Sequence, residues 1–235
     1  LWMSLSLIRS LLAKGNCGTV TDIVDVLSLI VCGFLTVMKV VIPIIQKENM
    51  KLVIDSALDD WSRLDSKESR EIMMIYAYIG RVVFIVQMSG AYVSGFPLIF
   101  MRLPGVSALW RDANESSRLL PFGPDCWISE EQTTHSYAGE YVLQSAQLFI
   151  VCTAYIGCDT YFFGIAMHVC GQFELLKISA DCIYGSGDRL EQKLKLDAFV
   201  RRHNHLLLLA DSFEDTYTII ILAQVLGDAL LICAS

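Results

Sequence analysis

The sequence predicts an all-α protein, a polytopic bundle of transmembrane helices. Of its 235 residues, 54% are hydrophobic and only 18% are charged, whereas a soluble domain usually carries about 25% charged residues. Mean hydropathy is +0.50. Two uncharged stretches, Val82–Met101 and Tyr141–Cys158, have about the length of roughly 20 residues that a helix needs to cross a ~30 Å hydrocarbon core. The net charge of −7 disfavours a nucleic-acid partner. The apolar composition and the two long uncharged stretches indicate that the chain lies in the lipid bilayer.

Apolar stretches alternate with charged or turn-rich stretches, and this alternation divides the chain into eight segments. The sequence begins and ends inside apolar runs, so we expect about five helices of a larger set. In order, the segments are the end of transmembrane helix 1 (1–12), transmembrane helix 2 (21–47), a cytoplasmic helical extension (48–75), transmembrane helix 3 (76–102), an extracellular loop (103–135), transmembrane helix 4 with its cytoplasmic extension (136–177), a cytoplasmic turn (178–188), and a cytoplasmic helix that runs into transmembrane helix 5 (189–235).

Several of the predicted helices are longer than a bilayer is thick. As single helices, residues 137–177 would reach about 60 Å and residues 189–235 about 70 Å, at 1.5 Å per residue. The charged stretch Glu48–Arg70 also keeps apolar residues at helical spacing, which is typical of a helix with one packed face. We expect these extensions to pack together outside the membrane, because each has an apolar stripe to cover.

The distribution of Lys and Arg among the loops predicts the orientation. The loop after the second span carries five of them and the loop after the fourth carries six, but the long loop between the third and fourth carries only three. The positive-inside rule places the two richer loops in the cytoplasm. Asn114-Glu115-Ser116, in the poorer loop, is an N-glycosylation acceptor and agrees with an extracellular position. The N-terminus is therefore expected in the cytoplasm, opposite to a G-protein-coupled receptor.

No motif in the chain indicates an enzyme. There is no P-loop, nucleophile elbow, HExxH or GxGxxG pattern, and His168 and Cys170 are two residues apart, which places them on different faces of a helix. We expect no catalytic residue, no metal site and no cofactor. The eight cysteines are irregularly spaced, which predicts no disulfide framework. Most of them lie inside apolar runs, which predicts small buried side chains. Lys39, inside the second span, either extends to the nearer interface or makes a buried polar contact.

The outer halves of spans two, three and four carry a candidate ligand pocket. On each span the residues share one helical face and combine aromatic and aliphatic walls with a few hydroxyl and amide groups, as small-molecule sites do. Ordinary helix packing in lipid also gathers small and polar residues, and the physics of the sequence alone favours this alternative. The candidate ligand-binding residues are Val31 and Phe34 on span two, Ser89, Tyr92, Val93 and Phe96 on span three, and Tyr141, Gln144 and Leu148 on span four.

Several further stretches are informative in their order and spacing. They lie after span two, at the end of span three, in the following loop and along spans four and five. They are Lys39 and Asp60-Trp61; Tyr92, Pro97 and Leu103-Pro104; Pro121–Trp127; Tyr141, Gln144, Asp159, Gln172-Phe173 and Leu175-Leu176; and Arg202-His203-Asn204, Leu206-Leu207, Glu214, Gln224 and Cys233. Taken together, these stretches resemble insect odorant receptors of the hymenopteran type, and the resemblance covers essentially the whole chain.

The resemblance implies a seven-helix protein in the plasma membrane of a sensory neuron dendrite, with its N-terminus inside. It implies a small volatile organic odorant, bound in the outer half of the bundle, and an odorant-gated non-selective cation channel assembled with a co-receptor as a hetero-tetramer. In that family the seventh helix lines the pore. Spans six and seven lie outside this sequence, so the chain alone is expected not to conduct. The alternative is a gustatory-receptor-like protein or another polytopic receptor or transporter.

Overall fold

A computed structural model describes residues 1–15, 18–64, 66–103, 106, 119–128, 133–181, 183 and 189–234. Within these ranges the chain forms six α-helices and one short 3-10 helix, with no β-strand, which confirms the all-α prediction. The helices are α1 (Trp2–Lys14), α2 (Val20–Ile45), α3 (Lys47–Ser62), α4 (Lys67–Met101), α5 (Thr134–Asp181) and α6 (Arg189–Ala234), and the 3-10 helix η1 (Asp125–Trp127) lies between α4 and α5.

Helices α2, α4, α5 and α6 are long and apolar enough to cross a membrane. In the most apolar 18-residue window of each, at most 28% of the residues are buried, so most of these apolar side chains lie on the outside of the protein. A helix satisfies its backbone hydrogen bonds internally and therefore tolerates hydrocarbon. This exposed apolar surface fits contact with lipid and confirms the prediction of a transmembrane helical bundle.

The two C-terminal helices exceed the thickness of a bilayer, as the sequence predicts. Helix α5 has 48 residues and α6 has 46, which correspond to about 72 and 69 Å at 1.5 Å per residue. A hydrocarbon core is only ~30 Å thick. Each helix must therefore continue well beyond the membrane.

The predicted extension 48–75 differs from the observed helices, because the structure divides it between α3 and α4. Helix α3 ends at Ser62, and Ser66 then caps α4: its Oγ accepts a hydrogen bond from the backbone N–H of Ser69 at 3.0 Å. Such a cap satisfies one of the amides left free at a helix start. Residues 67–75 are thus the first turns of α4, which runs unbroken to Met101. The apolar spacing continues across this break and so does not reveal it.

Residues Leu1–Val40, Gln87–Cys158 and Ile221–Ser235 form a first compact unit. Helix α1 lies so close to α2 that a Cβ atom on Gly33 would collide with Ser4 Oγ, a close approach typical of small residues at helix contacts in membranes. The Lys39 ammonium lies 3.3 Å from the centroid of the Tyr155 ring, and Lys39 is only 3% exposed. Of the two alternatives for Lys39, the structure shows the buried contact, a cation–π pair.

Residues Val41–Val86 and Asp159–Ile220 form a second compact unit. One apolar cluster surrounds Val53, Leu206 and Leu209, which are almost completely buried. A neighbouring cluster contains three aromatic rings, Phe162, Phe213 and Tyr217, with centroids 4.8 to 5.0 Å apart. Helix α3 is therefore held by apolar packing against α5 and α6. The sequence predicts this packing, because each helical extension has an apolar stripe that is buried only by contact with another helix.

Candidate ligand-binding site

Helices α4 and α5 line a partly open cavity of about 340 Å³ in the first unit, here called the inner cavity. Its volume falls in the range of roughly 300–1,000 Å³ found for small-molecule pockets, which are also mostly apolar. Among its described lining residues, the polar groups are the hydroxyls of Tyr92 and Ser94 and the thiol of Cys152. The lining residues are Ala91, Tyr92, Ser94, Gly95, Phe96 and Ile99 on α4, and Leu148, Phe149, Cys152 and Ile156 on α5.

Three aromatic rings form one wall of the inner cavity. Tyr92 and Phe149 are stacked, with centroids 5.3 Å apart and planes at 17°. Phe96 is tilted against both rings, at 6.1 Å from Tyr92 and 6.4 Å from Phe149. Such pairs contribute about 0.5–1.5 kcal/mol each beyond the area they bury. The three rings therefore support one another and form an aromatic wall of the cavity.

The Tyr92 hydroxyl is the main polar group of this wall. It lies 3.0 Å from Thr153 Oγ1, and Thr153 Oγ1 itself donates to the Phe149 carbonyl at 2.8 Å. Because the Thr153 proton is used in that bond, the Tyr92 O–H donates to Thr153. The phenol oxygen keeps acceptor capacity, so the wall can accept a hydrogen bond from a hydroxyl-bearing ligand.

Three of the nine residues predicted to bind ligand line the inner cavity: Tyr92, Phe96 and Leu148. The other six do not. Val93 is 74% exposed and Phe34 and Ser89 are also exposed, so these side chains lie on the surface of the bundle. Val31 lies in the packing contact between α2 and α6, where a Cβ on Gly227 would be 3.1 Å from Val31 Cγ1.

Tyr141 and Gln144 lie near the beginning of α5. Tyr141 is buried in a cluster with Leu120 and Tyr137, and its hydroxyl donates to the Ile99 carbonyl. Gln144 Nε2 donates to Glu140 Oε1 at 3.4 Å, and its Oε1 atom is buried without a hydrogen-bond partner among the described residues.

Three cavity residues that follow Leu148 on α5 were not predicted from the sequence: Phe149, Cys152 and Ile156. A signal for two of them was present, because Cys152 and Ile156 follow Leu148 at intervals of four residues and so share its helical face. The predicted set stopped at Leu148 and did not extend along that face.

Residues 119–128 form a lid that is anchored to the first unit, and two of its aromatic side chains are buried. Phe122 and Trp127 pack against Met3, Leu7 and Val26. The chain around them is fixed by hydrogen bonds to its backbone. The Arg102 Nη1 atom donates to the Leu120 carbonyl at 3.0 Å, the Tyr137 hydroxyl to the Leu119 carbonyl at 2.5 Å, Lys14 to the Trp127 carbonyl, and Trp127 Nε1 to the Gly15 carbonyl at 3.3 Å.

A second cavity of about 240 Å³ lies beneath the lid, here called the lid cavity. It is more polar than the inner cavity. Its lining residues are Asp22, Asp25, Ser28 and Leu29 on α2, Arg102 at the end of α4, Pro121, Phe122 and Gly123 in the lid, and Leu148 on α5. Leu148 is thus shared by the two cavities.

Cys126, in the lid, is disulfide-bonded, and its sulfur partner lies outside the described residues. The sequence predicted no disulfide framework, and the bridge at Cys126 was not predicted, because irregular spacing does not reveal a single bridge. Cys32 and Cys152, within the helices, form no disulfide.

The conformation of Gly123 gives a first prediction, that replacing it with alanine destabilises the lid. Its φ of 96° lies in the left-handed region, which costs a residue with a Cβ roughly 1–2 kcal/mol. A Cβ there would also lie 3.0 Å from Trp127 Cε3. We expect Gly123→Ala to lower the apparent melting temperature of the detergent-purified protein. Gly90→Ala is the matched control, because Gly90 is helical and has open space around its Cβ position. Equal melting temperatures for the two variants would contradict this packing.

A buried charge cluster lies in the second unit, around Asp60 on α3. The Arg202 Nη2 atom donates to Asp60 Oδ1 and to Gln172 Oε1, both at 2.6 Å, and His168 Nε2 lies 3.3 Å from Asp60 Oδ2. Burial raises the pKa of Asp60, but the His168 hydrogen bond and the charge and hydrogen bond of Arg202 outweigh it, so the pKa lies below its ordinary value of 3.8. Such a cluster fixes how α3, α5 and α6 meet, since each charge is satisfied only in this arrangement.

These features define a class of protein: a polytopic α-helical membrane protein with an apolar cavity between two of its helices. The profile of the family described as "7tm Odorant receptor" matches residues 19–235. The match covers most of the chain, and the chain belongs to this odorant receptor family, which is a family of receptors and not of enzymes. No curated protein matches the sequence significantly.

Proposed function

We propose that this chain is the odorant-binding subunit of a heteromeric, odorant-gated, non-selective cation channel in the plasma membrane of a sensory neuron dendrite. The observation that carries the proposal is the inner cavity, a preformed apolar space of about 340 Å³ with one aromatic wall. In this proposal a small volatile molecule occupies the cavity, and a co-receptor completes the hetero-tetramer.

The chemistry of the cavity indicates modest affinity and selection by shape. Burying about 200 Å² of odorant surface at about 25 cal/mol per Å² contributes roughly 5 kcal/mol, and the loss of translational and rotational freedom offsets at least a large part of it. Few hydrogen bonds are available to add to this. Binding opens the channel only if the open arrangement holds the odorant more tightly than the closed one.

Within the proposed site, Tyr92, Phe96 and Leu148 contact the odorant together with Phe149. We also propose that Gln144, which does not line the inner cavity, makes a polar contact with an odorant that extends past Leu148. Gln144 lies one helical turn from Leu148 on the same face of α5, and its buried Oε1 has no hydrogen-bond partner in the described part of the chain. A buried acceptor without a partner costs about 1–3 kcal/mol, so an odorant hydroxyl that donates to it gains binding energy.

The proposal is tested by expressing the chain with a co-receptor in cells and applying a panel of volatile alcohols, esters, ketones and aromatics. We expect an odorant-evoked cation current that requires both chains. The control is the co-receptor expressed alone under the same odorants. If the chain reaches the cell surface with the co-receptor and no odorant in a broad panel evokes a current, the proposed function is wrong.

The orientation is a second part of the proposal, with the lid and Cys126 on the outside of the cell. The disulfide at Cys126 supports it, because disulfides persist in oxidising, extracytoplasmic compartments. Asn114 lies outside the described residues, but its acceptor sequence belongs to the same loop. We expect glycosidase treatment to increase the gel mobility of the protein from cells, and Asn114→Gln to abolish this change. A protein labelled in the lid only after the plasma membrane is permeabilised would contradict the orientation.

A further inference from the structure

The lid cavity and the inner cavity meet at one side chain, Leu148. It lines both spaces and also packs against the apolar cluster of Met3, Val26 and Trp127. The isobutyl group of Leu148 is therefore a wall that the two cavities share. Side chains of this size change rotamer on a picosecond to nanosecond scale when they have space, and each cavity provides space on one side of Leu148.

The two cavities have different chemistry. The lid cavity has two carboxylates, Asp22 and Asp25, one guanidinium, Arg102, and one hydroxyl, Ser28. The described lining residues of the lid cavity therefore carry a formal charge of −1, whereas those of the inner cavity carry none. Lined by a net negative charge between low-dielectric walls, the lid cavity attracts groups that are positive or that donate hydrogen bonds, and it repels carboxylates.

We infer that the lid cavity is the access vestibule of the inner cavity, and that Leu148 is the partition through which an odorant with a hydroxyl or amine group passes. The inference rests on the proposed function and adds the route and the chemical class of the odorant. The polar end of such a molecule is solvated by the carboxylates of the lid cavity while its apolar end displaces Leu148. In the inner cavity the same hydroxyl then donates to the Tyr92 oxygen.

Cys152 provides a chemical probe of this route that needs no odorant. Its thiol lines the inner cavity, beyond Leu148, and forms no disulfide. A small, cationic, membrane-impermeant methanethiosulfonate transfers its thioalkyl group to an accessible thiolate, which forms a mixed disulfide and releases the sulfinate. The difference in labelling between the wild-type chain and Cys152→Ser gives the rate at Cys152.

We expect slow labelling of Cys152 in the wild-type chain assembled with its co-receptor, and labelling at least about ten times faster in Leu148→Ala. Leu148→Phe, which enlarges the partition, slows it, and Leu148→Val gives a milder increase if the alanine variant folds poorly. Ile150→Ala is the matched control, because Ile150 is two residues away and 65% exposed; its rate should equal that of the wild type. The double variant Asp22→Asn/Asp25→Asn should slow the cationic reagent and not an uncharged one.

Equal rates in Leu148→Ala, Leu148→Val and the wild type would overturn the inference. So would labelling by membrane-permeant reagents alone, which would show access from lipid. Odorant currents separate this outcome from a failure of the proposed function. Normal currents with an unaltered Cys152 rate reject only the route, whereas the expected rates without any odorant current reject only the receptor function.

Discussion

Replacing Phe149 with alanine is expected to raise the odorant concentration for half-maximal current by about 30-fold. Phe149 belongs to the aromatic wall, where it is stacked on Tyr92 and tilted against Phe96. Its loss removes one odorant-contacting face and frees both neighbouring rings. A loss of about 2 kcal/mol of binding free energy is reasonable for a contact residue of this size, and 1.4 kcal/mol corresponds to a factor of ten.

The control for this prediction is Ile150→Ala, next along α5. Ile150 is apolar and adjacent on the same helix, but it does not line the inner cavity. We expect its dose–response curve to match the wild type, with both variants compared at equal surface expression. A Phe149→Ala receptor with unchanged sensitivity for every active odorant would mean that the odorant binds elsewhere. Phe149→Leu should recover part of the loss, since it restores apolar volume without the stacked ring.

The fold was predictable from the sequence because length and hydropathy are sufficient to define spanning helices. Apolar runs such as Val82–Met101 locate α4, and the persistence of helical spacing past the charged residues predicts the long α5 and α6. The break at Ser62–Lys67 was not predictable in the same way. Helical spacing continues through it, and the hydrogen bond that begins α4 is a local contact of Ser66.

The pocket was predictable only in part, because hydrophobicity gives little information about helix rotation in a membrane. In a soluble protein an apolar face points to the core, but lipid is as apolar as the core. Val93 and Tyr92 are adjacent and were predicted together, yet Val93 is on the surface and Tyr92 lines the inner cavity. Phe34 was likewise assigned to the pocket and does not line the inner cavity. The rotation is determined by close helix contacts such as Gly33 with Ser4 and Gly227 with Val31, which require the neighbouring helix to be known.

Lys39 and Asp60 show the same limit for charged groups. From the sequence, any lysine near a helix end can extend its ammonium group to the nearer membrane interface. The structure shows the buried contact instead, because Tyr155, on a distant segment, lies against Lys39. Asp60 lies in a strongly charged stretch and resembles a solvated residue. Its burial depends on Arg202, which is 142 residues away in the chain.

Replacing Asp60 with asparagine is expected to have the largest effect on stability. We expect the free energy of unfolding to fall by about 3 kcal/mol. The Asp60 side chain is 7% exposed and holds Arg202 at 2.6 Å and His168 at 3.3 Å. Removing one member of a buried ion pair leaves the other charge without compensation, which typically costs about 3–5 kcal/mol. We take the lower end because the Arg202 side chain is one-third exposed. The apparent melting temperature of the purified protein and its surface expression measure the effect.

Asp59→Asn is the matched control, because Asp59 is the preceding residue and also pairs with an arginine. The Asp59–Arg63 pair is exposed at 51% and 76%, and exposed pairs contribute about 0–1 kcal/mol, so the control should stay near the wild type. The double variant Asp60→Leu/Arg202→Met should be more stable than Asp60→Asn, because it removes both charges and leaves neither unpaired. Equal stability of Asp59→Asn and Asp60→Asn would contradict the buried cluster.

The pH dependence of stability gives an independent test of the same cluster. Because the folded protein holds the pKa of Asp60 below the ordinary value of 3.8, the unfolded chain takes up the proton first as pH falls. The stabilisation from the ionised carboxylate is therefore complete above the unfolded pKa and is lost as pH falls through the lower folded value. We expect Asp60 not to contribute to the pH dependence of stability between pH 7 and about pH 5. Below about pH 4 we expect the wild type to lose stability, and Asp60→Asn to lose less. If the wild type and this variant lose stability in parallel below pH 4, Arg202 and His168 do not hold the Asp60 carboxylate in its ionised form. The ionised carboxylate then does not stabilise the contact between α3, α5 and α6.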